Sequence, residues 1–206
     1  MNKIKTGIAA LTLALLAPLA QAGAFTNGSF EVTNFTGSFQ NIVAGSTALT
    51  GWSVDSNSVD LINTYWNAYQ GNYSLDLNGN SIGSISQSFD TVVGQTYTVS
   101  FAMAGNPDGG GAKKTITAGV TSVDPFTFYT TGHTLSNMGW EVKSFQFVAE
   151  ETTSTLYFSG FKGNGAYGAA LDNITVTAAV PEPETYGMLL GGLALLGVVA
   201  RRKKSA

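Results

Sequence analysis

Residues able to do covalent or acid–base chemistry are few in this chain, and most of them are acids. The 206 residues include no cysteine and a single histidine, His133. A Cys–His pair is therefore excluded, no Gly-x-Ser-x-Gly elbow occurs, and a Ser–His–acid triad has one candidate base. His133 stands in Gly132-His133-Thr134, the setting of a loop. Paired carboxylates are what a glycosidase uses, and Asp55, Asp60, Asp76, Asp108 and Asp124 are the candidates for such a pair. Most of these fall in turns or on polar strand faces, where solvation accounts for them. The chain reads as non-catalytic, with a divergent glycosidase as the remaining enzymatic alternative.

Two non-catalytic constellations stand out. Glu31 sits beside the apolar Phe30 near the start of the exported region, and Asp172 lies near its end in Leu171-Asp-Asn-Ile-Thr-Val176. Asp172 has the parity of Ile174 and Val176, so a regular strand aims its carboxylate towards the core. A lone buried carboxylate is costly unless paired or coordinated. In a sandwich with neighbouring termini these two acids converge, and hard oxygen donors suit Ca²⁺; the alternative is a turn-capping Asp172 and a solvated Glu31. The second constellation is aromatic. Tyr65, Trp66, Tyr69 and Tyr73 crowd the polar stretch from Asn63 to Tyr73. Rings with a polar handle suit flat ligands such as sugars, and Trp66 and Tyr69 are the candidate sugar contacts; the alternative is that they fill the edge of the fold.

The elements that must position these residues are strands. From Gly23 to Thr177 the chain is rich in Thr, Ser, Val, Phe and Tyr, with Gly and Asn as punctuation, and no window keeps a helical period. Gln95–Met103 alternates most cleanly, and Tyr73–Leu77 alternates before the turn Asn78-Gly79-Asn80. Further strands are predicted at Phe25–Val32, Val59–Asn63, Ile82–Phe89, Lys114–Val120, Trp140–Val148, Thr153–Ser159 and Leu171–Thr177. The phase of the apolar residues changes within Ile82–Phe89 and within Trp140–Val148, which predicts a bulge or bend in each. About nine short strands with regular turn signals give an all-β fold, a β-sandwich of the jelly-roll type. The Gly105–Gly111 patch reads as a flexible surface loop, because no Lys-Ser/Thr completes a phosphate-binding loop.

Both ends are addresses. Lys3 and Lys5, the apolar Ile8–Leu19 and the small-x-small Ala20-Gln21-Ala22 make a signal peptide over residues 1–22. Residues 181–206 hold Pro181-Glu182-Pro183, an apolar run from Tyr186 to Ala200, and the basic cluster Arg201, Arg202, Lys203 and Lys204. Fifteen residues make roughly 22 Å of helix, a short transmembrane span, and the basic cluster marks its cytoplasmic end. The order of these three parts resembles the PEP-CTERM sorting signal. That resemblance implies recognition by an exosortase, transient anchoring at the inner membrane of a Gram-negative bacterium, removal of the tail near Pro181–Pro183, and release to the cell surface or extracellular matrix.

Between the addresses, residues 23–180 form one domain. It has four basic residues (Lys113, Lys114, Lys143, Lys162) against eleven acids, a net charge of 4 − 11 = −7, and no arginine. A nucleic-acid partner is excluded by this balance, since phosphate binding needs clustered cations. The ordered set Asn27-Gly-Ser-Phe-Glu31, Gly51-Trp52, Gly71–Gly79, Gly83–Phe89, Gly94–Phe101, Ala104-Gly-Asn106 and Leu171–Val176 resembles the choice-of-anchor C family, whose domain is similar to galactose-binding-like, carbohydrate-binding-module jelly rolls. That resemblance implies a ligand class, extracellular polysaccharide in a matrix, biofilm or floc, and a structural calcium held by Glu31 and Asp172. A purely structural surface protein acting through protein–protein contacts is the competing reading.

Overall fold

The computed structural model describes residues 25–161 and 165–179. The predicted signal peptide (1–22) and sorting tail (181–206) lie outside the described residues. Among the described residues no helix is long and apolar enough to cross a membrane.

Among the described residues eleven strands form: β1 (Phe39–Val43), β2 (Ser53–Ser56), β3 (Ser58–Ile62), β4 (Ser74–Asp76), β5 (Ser84–Asp90), β6 (Thr96–Gly105), β7 (Lys113–Gly119), β8 (Val123–Tyr129), β9 (Glu141–Val148), β10 (Thr153–Gly160) and β11 (Ala169–Ala178). They make two antiparallel sheets, one of six strands in the order β1-β3-β4-β11-β6-β9 and one of five in the order β2-β5-β10-β7-β8. The predicted β-sandwich is thus the observed architecture. Alternation drives it. Tyr97, Val99, Phe101 and Met103 of β6 face Ile85, Phe89, Ile116, Ala118, Leu156 and Phe158 of the other sheet in one apolar core. Phe101 is fully buried and meets Phe158 and Phe126 edge-on, each with ring centroids 5.1 Å apart. Burying such a ring contributes about 1.5–3 kcal/mol, and each edge-on pair adds about 0.5–1.5 kcal/mol. This core closes within residues 25–179, so the domain carries its own hydrophobic centre.

Phe25–Val32 is not a strand. Asn27 and Phe30 both have left-handed backbones (φ 52° and 59°), which no strand accommodates. The Asn27 carbonyl accepts from Phe30 N–H and from the Trp52 indole, and its side chain accepts from Val32 N–H. The segment is tied down through Gln87, whose side chain bonds both the N–H and the carbonyl of Thr26. It is also tied through Gly28, whose carbonyl accepts from Ile174 N–H. A β-carbon at Gly28 would stand 1.9 Å from the Ile174 carbonyl oxygen, so only glycine allows this approach to β11.

Neither β9 nor β5 carries a bulge of its own where a bulge or bend is predicted, although the register of β2 against β5 shifts between Val54 and Ser56. β6 and β9 pair without interruption from Thr96↔Val148 to Met103↔Glu141. The apparent phase change arises because Trp140 precedes the strand and Val142 is exposed on the outer face. In β5, Ile82 belongs to an isolated bridge with Asn78 before the strand begins, and Ser84 to Asp90 pair with β10 in constant register. A bulge does occur in β11. Asp172 pairs with Ala102 but Thr175 with Ser100, and the extra residue is accommodated at Asn173, with φ 46°.

Candidate functional site

The bulge decides where Asp172 points. Leu171 pairs with Met103 and shares its core-facing side, so Asp172, paired with Ala102, lies on the opposite, outer face of the six-stranded sheet. The expected core-facing orientation is therefore corrected: parity with Ile174 holds only if no residue is inserted between them. By the same alternation Asp60, Ile62, Ser74, Asp76, Ala104 and Ala170 lie on this outer face. The small alanines are fully buried, leaving room for covering loops.

The loop of residues 63–73 covers part of this face, and two carboxylates grip it. Asp172 Oδ2 accepts from the backbone N–H groups of Tyr69 and Gln70 at 2.8 and 2.9 Å, while Oδ1 accepts from Asn173 N–H. Glu31 Oε1 accepts from Asn72 and Tyr73 N–H, both at 2.8 Å. Gly71 sits between them with φ +69°, and a β-carbon there would stand 2.3 Å from Glu31 Oε1. Burial pushes the Asp172 carboxyl up to about 6, its three N–H partners oppose the shift, and the negative charge of Glu31 adds to it. The two acids nominated for calcium are thus neighbours around one loop. Their donor type, carboxylate oxygen, fits a hard divalent cation.

Trp66, nominated as a sugar contact, is 3 % exposed, and its indole N–H donates to Ser74 Oγ at 2.8 Å. A ring buried against the sheet offers no face to a solvent-borne ligand, so Trp66 is a packing residue at the root of the loop. Tyr69 is 44 % exposed and packs edge-on against Trp140, with centroids 6.3 Å apart. The Trp140 indole in turn donates to the Asn67 carbonyl. Tyr73 donates its hydroxyl to the Phe35 carbonyl.

The remaining ring of the stretch, Tyr65, opens onto a cavity of about 190 Å³ lined by Phe39, Asp60, Ile62, Tyr65, Asp76, Asn106, Ala166 and Tyr167. Phe39 and Tyr167 are about half exposed at its rim, and Phe39 meets Tyr65 at 5.9 Å. A wider groove of about 600 Å³ runs from Glu31 to Thr50. It is larger, but Phe35 is its one aromatic wall and Glu31, already committed to the loop, its one charge. The smaller cavity carries the richer chemistry.

Its floor is a hydrogen-bonded chain. Asp76 Oδ1 accepts from Asn78 and Gly168 N–H, and Oδ2 accepts from the Asn106 amide at 3.0 Å. Asn106 Oδ1 accepts from Asp108 N–H, and Asp108 accepts the Tyr65 hydroxyl proton at 2.5 Å. That bond to Asp108 is the main reason the Tyr65 phenol is pushed up to about 12. Burial pushes Asp76 up to about 7 against the pull of its hydrogen bonds, and the charge of Asp60 reinforces the rise. Asp60 is raised mainly by burial, opposed by the Asn41 amide bonded to its Oδ1 at 2.7 Å. Asp60 and Asp76 are direct cross-strand partners. With both oxygens of Asp76 engaged and Asp76 only 1 % exposed, the pair holds the site together and is poorly placed for acid–base work. His133 packs on Phe128, and among the described residues its Nδ1 has no hydrogen-bond partner, so no described acid orients the ring through that nitrogen. Nothing in the sequence linked Phe39, Asn106 and Tyr167 to Tyr65, since only the fold brings such distant positions together.

Two family models match the chain. Residues 23–177 match the family of unknown function DUF642, and residues 179–204 match the PEP-CTERM protein-sorting motif. The chain belongs to the DUF642 family. Its sorting motif is that of proteins exported and processed by an exosortase. A curated relative is halomucin of Haloquadratum walsbyi, 32 % identical over 161 residues, 77 % of this chain. The chain spans about 2 % of that protein's length. Among solved structures, TmCBM61 in complex with β-1,4-galactotriose is 19 % identical with a TM-score of 0.48, over 74 % of this chain and 96 % of that one. A family 35 carbohydrate-binding module from Clostridium thermocellum is 13 % identical with a TM-score of 0.47, over 68 % and 99 %. The arabinose-bound MgGH51 α-L-arabinofuranosidase matches with a TM-score of 0.50 and 13 % identity, over 76 % of this chain and 26 % of that one. At 13 % identity the likeness to the arabinofuranosidase is one of fold alone.

Proposed function

We propose that this DUF642 domain is a non-catalytic carbohydrate-binding module, delivered to the cell surface or extracellular matrix by its sorting tail, where it retains or organises polysaccharide. The observation that carries the reading is the cavity beside Tyr65. Three rings, Phe39, Tyr65 and Tyr167, surround carboxylate and carboxamide groups held in place by a continuous hydrogen-bonded floor. Aromatic walls with a few fixed polar groups are the composition of a sugar site. A volume of about 190 Å³ is below the roughly 300–1,000 Å³ of a drug-sized pocket, which suits one ring or chain end. Exosortase is the processing partner.

The test is co-sedimentation of residues 23–180 with the host's exopolysaccharide. Wild type is retained, and Tyr65→Ala and Tyr167→Ala are released with melting temperatures that stay near wild type. Equal retention of both variants sinks the assignment of the cavity. Exposed apolar residues on the edge strands, Val123 and Tyr129 on β8 and Val142 and Val148 on β9, favour a second reading, a structural surface protein that associates through its edges. That reading wins if a folded domain retains no glycan yet self-associates or captures a surface protein.

Supporting the same fold, Glu31 and Asp172 are the residues that would hold a structural Ca²⁺, which would neutralise their mutual repulsion and stiffen the loop of residues 69–73. Melting with Ca²⁺ and with chelator tests it. A rise with Ca²⁺ that is lost in Asp172→Ala supports the site, and identical melts in both conditions refute it.

A further inference from the structure

Resting on the carbohydrate reading, we infer that the Tyr65 cavity selects a free amino sugar, a ring bearing an ammonium group, over its N-acetylated counterpart and over uronates. Two carboxylates line the cavity, and a third lies one hydrogen bond behind it. Asp60 and Asp76 line it, and Asp108 holds the hydroxyl of the lining Tyr65. Asp60 and Asp76 stand directly opposite each other on β3 and β4. Like charges directly opposed across a sheet repel. No described cation lines the cavity, and burial favours a proton on Asp76, which leaves Asp60 as the charge that faces a ligand. Lys114, which interacts with the charge of Asp76, donates to the carbonyls of Gly110 and Tyr167 at 3.0 and 2.8 Å and is not among the residues lining the cavity. One oxygen of Asp60 is held by Asn41, and the Asp60 side chain is half-buried at the cavity wall, so it can still receive a ligand proton donor.

A cation entering the cavity would pair with the Asp60 carboxylate, and the walls specify which kind. Phe39, Tyr65 and Tyr167 present three rings around the acids. Rings attract an organic ammonium through their faces and stack on the sugar to which it is attached, whereas a bare metal ion requires an oxygen cage that aromatic walls do not supply. A uronate brings a further negative charge up to Asp60 and meets repulsion. N-acetylation removes the ligand's charge and adds bulk to a small cavity. The ammonium ring is the ligand that matches both the charge and the walls.

The test titrates the purified chain from Gly23 to Val180, by calorimetry at mildly acid pH, with four probes: a β-1,4-glucosamine hexamer, its N-acetylated counterpart, a galacturonic acid hexamer and a neutral β-1,4-galactan fragment. The expected result is roughly tenfold tighter binding of the glucosamine hexamer than of the other three, an advantage that shrinks with added salt and disappears in Asp60→Asn. That substitution keeps an acceptor for Asn41, and the distant Asp124→Asn serves as the folded control that binds as wild type. Equal affinity for all four probes, or tightest binding of the uronate, overturns the charge inference while leaving the carbohydrate reading standing. Loss of glucosamine binding on addition of Ca²⁺, with Ca²⁺ itself titrating the cavity in wild type but not in Asp60→Asn, overturns it in favour of a metal site. No binding of any probe by a folded chain overturns the carbohydrate reading as well.

Discussion

Asp76 is the buried group whose behaviour follows most directly from the geometry, and its neutral mimic Asp76→Asn tests that geometry. Burial holds the folded carboxyl at about 7 against an ordinary value of 3.8. The native state therefore keeps a proton on Asp76 that the unfolded chain releases, so stability falls as pH rises through the window from 3.8 to about 7. The difference of 3.2 units (7 − 3.8), at 1.36 kcal/mol per unit, corresponds to about 4 kcal/mol lost across the window. For a domain of this size each kcal/mol moves the melting temperature by about 2–4 °C, giving roughly 8–16 °C. The asparagine keeps an acceptor for Asn78 and Gly168 N–H but presents an amide to the Asn106 amide, costing about one hydrogen bond, ~1 kcal/mol. Variant and wild type should melt within a few degrees of each other near about pH 4, and the variant should melt several degrees higher near about pH 8. The assay is a fluorescence melt of both proteins across that range. Taking the difference between them cancels the other titrating groups. A difference that stays constant with pH would refute the claim that a proton on Asp76 sets this slope.

Three further outcomes follow. Asp172→Ala strands the N–H groups of Tyr69, Gln70 and Asn173. At about 1–3 kcal/mol for each buried donor left unsatisfied, it should lower the melting temperature by at least ~5 °C, and a wild-type melt would show the loop is not held there. Trp66→Ala should cost about 3–5 kcal/mol, as for other large rings deleted from a core. Any glycan it fails to bind then reflects loosening of the loop, which chemical denaturation separates from the clean loss expected of Tyr65→Ala. Asn173→Gly should be close to neutral and Asn173→Val should destabilise by about 1–3 kcal/mol, because φ 46° suits glycine and excludes a β-branched side chain; equal stabilities would mean the bulge relaxes freely.

The strands most legible in the sequence were those with one wet and one dry face. β6 and β4 were visible because their apolar residues recur at every second position, and β11 because Leu171 and Ile174 anchor it. β1, β2 and β8 were not legible. They are edge strands or short, with Pro125 and Asp124 inside β8 and Ser53 and Asp55 inside β2, so no alternation survives. Phe25–Val32 misled for the opposite reason. Its apolar residues are spaced like a strand, but Asn27 and Phe30 take the left-handed region to bring Gly28 against β11. That approach is also why Glu31 and Asp172 meet, a convergence that follows from the jelly roll's neighbouring ends. The orientation of Asp172 was not readable, because a single inserted residue reverses the face and leaves the composition unchanged.

The two acids and the cavity are connected by one loop. Its C-terminal half hangs from Asp172 and Glu31 through four backbone N–H groups. Its middle is pinned by Trp66 to Ser74 and by Asn67 to Leu135 and Ser136. Its start delivers Tyr65 to the cavity, where the hydroxyl joins Asp108 and the ring meets Phe39 and Trp66. Tyr65 stands at the start of this loop, so its placement depends on how firmly the loop is held. A cation between Glu31 and Asp172 would therefore act on glycan binding without touching the glycan, by reducing the ordering cost that binding must meet. Chelator should weaken sugar binding through the dissociation rate. The same treatment of Asp172→Asn, whose loop no longer answers to the cation, should change nothing.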